Sequence, residues 1–520
     1  MTGIHYIEGN ATVSDALRSI DPRTGREAGE PVPVTTPAEL AAIADRARAA
    51  AAPYAALPLA TRAAGLRAIA EALGDHADQV IATADAETAL GTARLIGELA
   101  RTRVQLELFA DAVEAGAFLE IIIDRADPLA KPAPRPDLRR MLVPVGPVAV
   151  YAASNFPLAF SVPGGDTASA LAAGCPVIVK AHEAHPRTSE LCARIVTDAL
   201  AAAGAPDGTF AVVHGFEAGK ELITHPAVKA AGFTGSLNGG RALHALASSR
   251  PEPIPFFGEL GSINPVFATP GAIAERGPAL AEAFIGSATL GSGQFCTKPG
   301  VLFLPAGHGL ADDLATAAAK AEPHPLLHQR IRDAYLVGAA ALAALPGVTT
   351  LAEPGDVGPG EGFGVRPGLF QVDAAAFLAN AEALLTECFG PVAVVVDADP
   401  ADVPAILDLL PGSLTGTVHL ADAEATGTFV QGLLTALAAK VGRVVVNGWP
   451  TGVAVTAAMQ HGGPWPAATS SQYTSVGETA LRRFLRPVAY QDTPAELLPE
   501  LLRDDVAVTV PRRVSQAFGA

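Results

Sequence analysis

The sequence predicts an α/β fold of two or three domains built on parallel sheets, and three observations predict it. The chain has 520 residues, too many for one hydrophobic core, and 49% of them are apolar, enough for more than one. From Val145 onward, short apolar runs alternate with stretches of helical periodicity, the pattern of strands joined by helical crossovers. A second alternating region follows from about Ser262 to Val446.

In chain order, residues 39–117 are Ala-rich and helical in period. Thr36 or Thr35, with acidic residues nearby, opens the first helix. The segment DRADPLAKPAPRPDLRRMLVP then breaks the pattern with five prolines and clustered charge, and reads as a linker or an edge excursion. VGPVAVYAA, CPVIVKA, FAVVHG and AAGFTG read as strands. Between them GGDTASALAAG, PRTSELCARIVTDALAAAG, AGKELITH and GGRALHALASS read as helices. Together they have the form of a Rossmann-like nucleotide-binding domain. NPVF, GVLFLP, PVAVVVD and GRVVVN supply the strands of the second region, and FLRPVAYQDTPAELLPELL reads as an extended strand with a short tail.

The formal net charge of −17 excludes a general nucleic-acid surface. No apolar run is long and charge-free enough to span a membrane, and MTGIHYIEGN has no basic region followed by an apolar core. A cytoplasmic location is expected. The four cysteines, Cys175, Cys192, Cys296 and Cys388, show no metal or disulfide spacing.

Five local features carry chemistry. FTGSLNGG places Gly235, Ser236, Gly239 and Gly240 at a strand-to-helix junction, where backbone can approach a pyrophosphate; a plain tight turn fits the same residues. Cys296, in GSGQFCTKPG, has small neighbours that leave room for a substrate, although a free cysteine also serves as a small buried hydrophobe. Glu259, in FFGELGSINP, stands in apolar surroundings that favour general-base work or a structural ion pair. Asn155, in YAASNFPLAF, is an oxyanion donor or a turn cap. Lys180 ends the strand PVIVKA, where α/β sheets bind ligands.

In this order, SNFP, VIVKAHE, FTGSLNGG, ELGS, GQFCTKPG and ECFGPV resemble the aldehyde dehydrogenase superfamily, and the resemblance runs over essentially the whole chain. ARLIGELARTRVQL, HPAVKAAGFTGS, INPVF and NGWPTGVAVTAAMQHGGPWPA further resemble the branch of α-ketoglutaric semialdehyde (2,5-dioxovalerate) dehydrogenases, to which NADP-dependent fatty-aldehyde dehydrogenases are related. The resemblance implies that Cys296 is the nucleophile forming a thiohemiacetal and then a thioester. Asn155 and the Cys296 N–H would hold the oxyanion, and Glu259 would activate the hydrolytic water. Lys180 and Glu387 would bind the cofactor riboses, Phe389 would face the nicotinamide and Ser236 the pyrophosphate. His182, Glu183, Gly235, Gly240 and Gly261 complete the expected cofactor surface. No metal site is expected.

Three departures from the family pattern matter. Ser154 replaces a common Trp, the Glu259–Cys296 spacing is slightly long, and Lys-Pro-x-Glu reads Lys180-Ala181-His182-Glu183. The branch favours NADP+, whereas the Glu183 carboxylate would repel a 2′-phosphate and favours NAD+ unless His182 or another cation compensates. The expected architecture is a cofactor domain (1–125 and 144–258), a catalytic domain (259–470) and a β-strand oligomerisation arm (126–143 and 485–500). Strand edges of that kind imply a homodimer or a dimer of dimers. Arg101 and Gln105, four apart on a predicted helix, are candidates with Phe156 for the substrate site, Arg101 as anchor for a carboxylate. If the tunnel is apolar, a fatty or aromatic aldehyde fits instead. A CoA-acylating enzyme is the rival within this chemistry, and Glu259 argues against it. A non-catalytic cofactor-binding protein is the rival outside it, and the Cys296–Glu259–Asn155 set argues against that.

Overall fold

The computed structural model of the chain describes residues 16–358, 360 and 362–515. The segment read for a secretory signal, and with it the start of the expected cofactor domain, lies outside them. The Ala-rich opening resolves into four helices: α1 (Pro37–Ala55), α2 (Leu59–Asp75), α3 (Ala77–Thr88) and α4 (Thr92–Ala115). Thr36, rather than Thr35, opens α1. Its hydroxyl accepts from Glu39 N–H at 3.3 Å, while the Glu39 carboxylate accepts from Thr36 N–H at 2.8 Å. The buried stripe of α4 repeats at helical spacing through Leu95, Leu99, Leu106, Phe109 and Val113, yet it also carries Glu98, Thr102 and Gln105 into the interior.

Next come β1 (Ile121–Asp124) and β2 (Leu138–Pro144), then a βα alternation. This runs β3 (Val148–Tyr151), α5 (Gly165–Ala173), β4 (Val177–Lys180), α6 (Pro186–Ala202), β5 (Phe210–Val213), α7 (Phe216–Thr224), β6 (Ala230–Thr234), α8 (Leu237–Ser249) and β7 (Phe256–Glu259). These five strands form one parallel sheet in the order β7-β6-β3-β4-β5. β3 and β4 are buried along their whole length, so they read as continuous apolar runs rather than alternating ones. The strand order reverses between β3 and β6, which opens a crevice at their carboxyl ends.

The second sheet begins with β8 (Val266–Ala268), followed by α9 (Pro270–Thr289) and β9 (Val301–Leu304). β10 (Thr349–Ala352), β11 (Gly368–Asp373), β12 (Val392–Asp397), β13 (Ser413–His419) and β14 (Val441–Val446) complete it. Their order is β10-β11-β12-β9-β8-β13-β14, parallel except for the β10–β11 pair. β13 is a central, fully buried strand that the apolar pattern misses, because SLTGTVH spends four of its seven positions on Ser, Thr and Gly. Two of its hydroxyls find partners inside: Thr415 Oγ1 donates to Asn264 Oδ1 at 3.1 Å, and Ser413 Oγ donates to Pro411 O at 3.4 Å.

A third sheet carries β15 (Leu485–Gln491) and β16 (Arg512–Ser515) in the order β15-β2-β1-β16. β2 pairs antiparallel with β15 from Leu138↔Gln491 to Pro144↔Leu485. The Pro-rich stretch before Leu138 adds only an isolated bridge, Asp127↔Arg135. The sheet is wider than two strands because β1 and the polar β16, each too short to give a readable pattern, join it. Among the described residues, no helix is long and apolar enough to cross a membrane.

Candidate active site

The carboxyl edge of the first sheet faces the amino edge of the second, and nearly every expected site residue lies on one or the other. Lys180 ends β4, Thr234 ends β6 just before Gly235 and Ser236, and Glu259 is the last residue of β7 rather than a residue beyond it. Asn155 follows β3. From the second sheet, Asn264 precedes β8, Cys296 precedes β9 and Glu387–Phe389 precede β12. The main chains are tied directly: Leu260 N–H donates to Ala467 O at 2.8 Å, and Gly235 N–H donates to Glu259 O at 3.0 Å.

Cys296 leaves a left-handed turn at Gly291, Ser292 and Gly293 (φ 56°, 57° and 65°). Asn264 then clamps the loop, its amide donating to Cys296 O at 2.8 Å and Lys298 O at 2.9 Å. The Asn155 amide donates to Gln294 O at 2.9 Å, two residues before Cys296. An amide nitrogen has two N–H groups, so one remains for an oxyanion.

The structure adds a group absent from the expected set. His461 lies between Cys296 and Glu259, its Nε2 3.3 Å from Cys296 Sγ and its Nδ1 2.5 Å from Glu259 Oε2. The ring is buried, and Ser475 Oγ lies 3.4 Å from Nδ1. Burial alone would drive this imidazole neutral, but the Glu259 carboxylate and the Cys296 sulfur carry its pKa up to about 10. An imidazolium between a sulfur and a carboxylate is the arrangement that activates a thiol. The only sequence signal for it is QHGGPWPA, which carries part of the family resemblance but no chemistry of its own.

Aromatic rings enclose the sulfur. Phe156 meets Phe160 and Phe295 edge-on at 5.4 and 5.2 Å, and Phe160 lies 5.9 Å from His461. Arg94 reaches in from α4, its guanidinium 5.0 Å from the Phe156 ring and 4.9 Å from the Phe295 ring, and donates to Asn155 O at 2.6 Å. Two turns further along α4, Arg101 lies 5.4 Å over Phe160. Its Nε and Nη2 are buried without a partner among the described residues, as are both amide atoms of Gln105, which is 2% exposed.

On the cofactor side, the reversal of strand order, the exposed Gly235–Ser236 backbone and the start of α8 together fit an anionic dinucleotide. Ser236 Oγ itself caps α8, accepting from Gly239 N–H at 3.3 Å. Gly240 is buried against Leu260 and Phe233, where a Cβ would collide. Gly240 therefore serves helix–strand packing. Lys180 Nζ donates to Glu183 Oε1 at 2.5 Å. Burial would raise the Glu183 pKa, but Lys180 and His182 hold it down at about 2. His182 accepts from Ala184 N–H at 3.1 Å, and burial pushes its pKa down to about 3. The Glu387 carboxylate lies against the Gly261 backbone, where a Cβ would collide with it, and burial pushes its pKa up to about 7. A cleft of about 710 Å³ among α1, α3 and α6 contains none of these residues.

Comparison with known proteins follows the same lines. The sequence profile of the aldehyde dehydrogenase family matches residues 9–486. The chain is 47% identical to α-ketoglutaric semialdehyde dehydrogenase 2 of Azospirillum brasilense, over 98% of both chains. It is 44% identical to the α-ketoglutaric semialdehyde dehydrogenase of Acinetobacter baylyi, over 86% of this chain and 84% of that one. Among solved structures, a mutant of aldehyde dehydrogenase C from Pseudomonas syringae, in complex with NAD+ and octanal, superposes with a TM-score of 0.78 at 20% identity, covering 93% of this chain and 94% of that one. The Bacillus cereus aldehyde dehydrogenase in complex with NAD+ gives 0.76 at 20% identity, over 92% and 93%. The chain belongs to the aldehyde dehydrogenase family.

Proposed function

We propose that the enzyme oxidises a small semialdehyde bearing a carboxylate at its far end, of the class of 2,5-dioxovalerate, to the dicarboxylic acid, with NAD+ as acceptor. The observation that carries the substrate class is the pair Arg101, half-buried and close enough to Cys296 to interact with it electrostatically, and the buried Gln105 one turn on, whose inner guanidinium and amide atoms have no partner among the described residues. Buried donors without partners are costly unless a ligand or water meets them. A substrate carboxylate on Arg101, with Gln105 reaching a carbonyl oxygen, meets that demand. The names of the two relatives above point the same way.

The reaction begins at the Cys296–His461 contact. The thiol proton passes to His461 Nε2, Glu259 balances the imidazolium, and the thiolate adds to the aldehyde carbon. The free Asn155 N–H and the Cys296 N–H hold the oxyanion. NAD+, when bound, supplies the two-electron acceptor that turns the thiohemiacetal into a thioester. Water then attacks the thioester, its proton goes to the Glu259 carboxylate because the His461 ring still holds the thiol proton, and the thiolate leaves to pair again with the imidazolium. Glu259 thus serves through His461 as well as directly, and its Oε1 has no hydrogen-bond partner of its own to compete with water.

In this reading Lys180 and Glu387 take the riboses, Ser236 and Gly235 the pyrophosphate, and Phe389 the nicotinamide, which the position of Lys180 at the end of β4 and of Glu387–Phe389 before β12 supports. NAD+ is preferred because Glu183 stays ionised, Lys180 is tied to it and so not free to meet a 2′-phosphate, and the neutral His182 offers no compensating cation. Two sheet edges favour a homodimer or a dimer of dimers. β14 is an edge strand with Val444 and Val446 38% and 48% exposed, and β15 is the edge of the third sheet. Light scattering in solution gives the stoichiometry.

The test records nicotinamide reduction with 2,5-dioxovalerate, succinic semialdehyde, a long-chain aldehyde and benzaldehyde, each with NAD+ and NADP+, with and without CoA. Cys296→Ala and Arg101→Met are run alongside. The expected result is preference for the carboxylated aldehydes, free acid as product without CoA, no turnover in Cys296→Ala and a selective rise in KM for charged substrates in Arg101→Met. Preference for apolar aldehydes in the wild type overturns the substrate reading. Dependence on CoA overturns the hydrolytic one.

A further inference from the structure

Lys298 stands two residues after the nucleophile and is only 3% exposed. Its ammonium donates to the carbonyl oxygens of Cys388, Gly390 and Val392 at 2.9, 3.0 and 3.0 Å. These three bonds use every N–H the group has. No carboxylate is among the acceptors: the buried charge is felt by the nearby Glu387 carboxylate, but every hydrogen bond it makes holds main chain. An apolar side chain would fill the space without that desolvation, which makes the held geometry the point of the arrangement.

The segment it holds carries Glu387 and Phe389. A second contact joins the same two loops: Gly293, three residues before Cys296, packs so closely on Gly390 O that a Cβ at position 293 would collide with it. The other flank of the nucleophile loop is fixed separately. Asn264 binds Cys296 O and Lys298 O, and its Oδ1 accepts from Ser262 Oγ at 2.7 Å and Thr415 N–H at 3.2 Å. The nucleophile therefore has a support that does not depend on the ammonium, whereas the 388–392 backbone is gathered around it.

We infer that Lys298 is a positioning residue for the cofactor, fixing the segment that presents Glu387 and Phe389 at a set distance from Cys296. The inference rests on the cofactor reading above. Its consequence is a separation of two properties: loss of the ammonium loosens nucleotide binding and leaves the nucleophile in place.

The experiment compares wild type, Lys298→Met and Lys298→Arg. NAD+ affinity is measured by titration calorimetry, the rate of Cys296 alkylation by iodoacetamide is measured without nucleotide, and thermal unfolding serves as the folding check. In Lys298→Met the Kd for NAD+ is expected to rise about tenfold, the effect of losing one charge-assisted tie, while alkylation changes less than about twofold. Lys298→Arg, whose planar fork cannot match three converging carbonyls, is expected to rescue only in part. An unchanged Kd in a folded Lys298→Met overturns the inference. So does a parallel change in Kd and alkylation, which would make Lys298 a general brace of the loop. If Lys298→Met does not fold, Lys298→Gln carries the same test with a smaller expected rise, and no rise overturns the inference. Wild-type protein that binds neither NAD+ nor NADP+ overturns the cofactor reading itself, and this inference with it.

Discussion

Replacing His461 by Gln removes the group that links Cys296 to Glu259, and two separate losses follow. The catalytic loss comes from the 3.3 Å contact with the sulfur and the 2.5 Å contact with the carboxylate. A positioned general base of this kind contributes ~10²–10⁴-fold, so kcat for a good aldehyde is expected to fall by at least ~10²-fold. Iodoacetamide alkylation of Cys296 should slow near neutral pH. The stability loss arises because Glu259, 6% exposed, is left as a carboxylate without its cation. Breaking one side of a buried pair costs about 3–5 kcal/mol. The sign with pH follows from the raised pKa of the ring. The folded chain binds the proton more tightly than free histidine, so the stabilisation is complete below about 6.5. It disappears as pH rises through about 10. Urea unfolding of wild type and His461→Gln across this range should show a gap that closes at high pH. In the double variant with Glu259→Gln, the cost should be less than additive. If kcat stays within about threefold, far below the ~10²-fold expected of a general base, and the alkylation rate is unchanged, the Cys296–His461–Glu259 relay is refuted.

Other perturbations test neighbouring parts of the site. Because burial lifts the Glu387 pKa to about 7, this carboxyl gains a proton as pH falls through that value. NAD+ affinity is then expected to weaken by up to ~10-fold per pH unit below it, and Glu387→Gln should flatten that dependence in calorimetric titrations. Glu183→Ser removes the charge facing a 2′-phosphate and frees Lys180, so the ratio of NADP+ to NAD+ affinity should rise by ~10–100-fold, one or two charge-assisted bonds; an unchanged ratio would place selectivity elsewhere. Arg94→Met loosens Asn155, which loses the 2.6 Å bond to its carbonyl. Its kcat should fall by roughly 10-fold or more with less change in KM, bounded by the ~10²–10³-fold loss of a full oxyanion donor, for which Asn155→Ala gives the reference value.

Much of this enzyme is written locally in the chain. Thr36 and Glu39 announce the start of α1 because a capping box involves only neighbouring residues. Apolar runs such as VIVK and VAVVVD announce buried strands because parallel sheets covered on both faces need no alternation. Cys296, Glu259, Asn155 and Lys180 were legible as candidates because each sits in a short segment with small or apolar neighbours, and the order of those segments carries the family resemblance that gives them roles. Strand β13 was not legible, since its Ser, Thr and Gly residues look polar until its neighbours in the sheet and partners such as Asn264 are known. The same reason hid the chemistry of His461, Arg94 and Lys298. Each acts through a partner far away in sequence: His461 is 165 residues from Cys296, Arg94 is 61 from Asn155, and Lys298 is 90 or more from the carbonyls it gathers. Local propensity and periodicity determine which segments become strands and helices. Which side chains then face one another depends on how the sheets order their strands and meet edge to edge, a property of packing between distant segments that no local window records. The sequence alone therefore determined the fold class and the motifs that single out Cys296, and the tertiary structure alone decided what stands beside Cys296 and holds it in place.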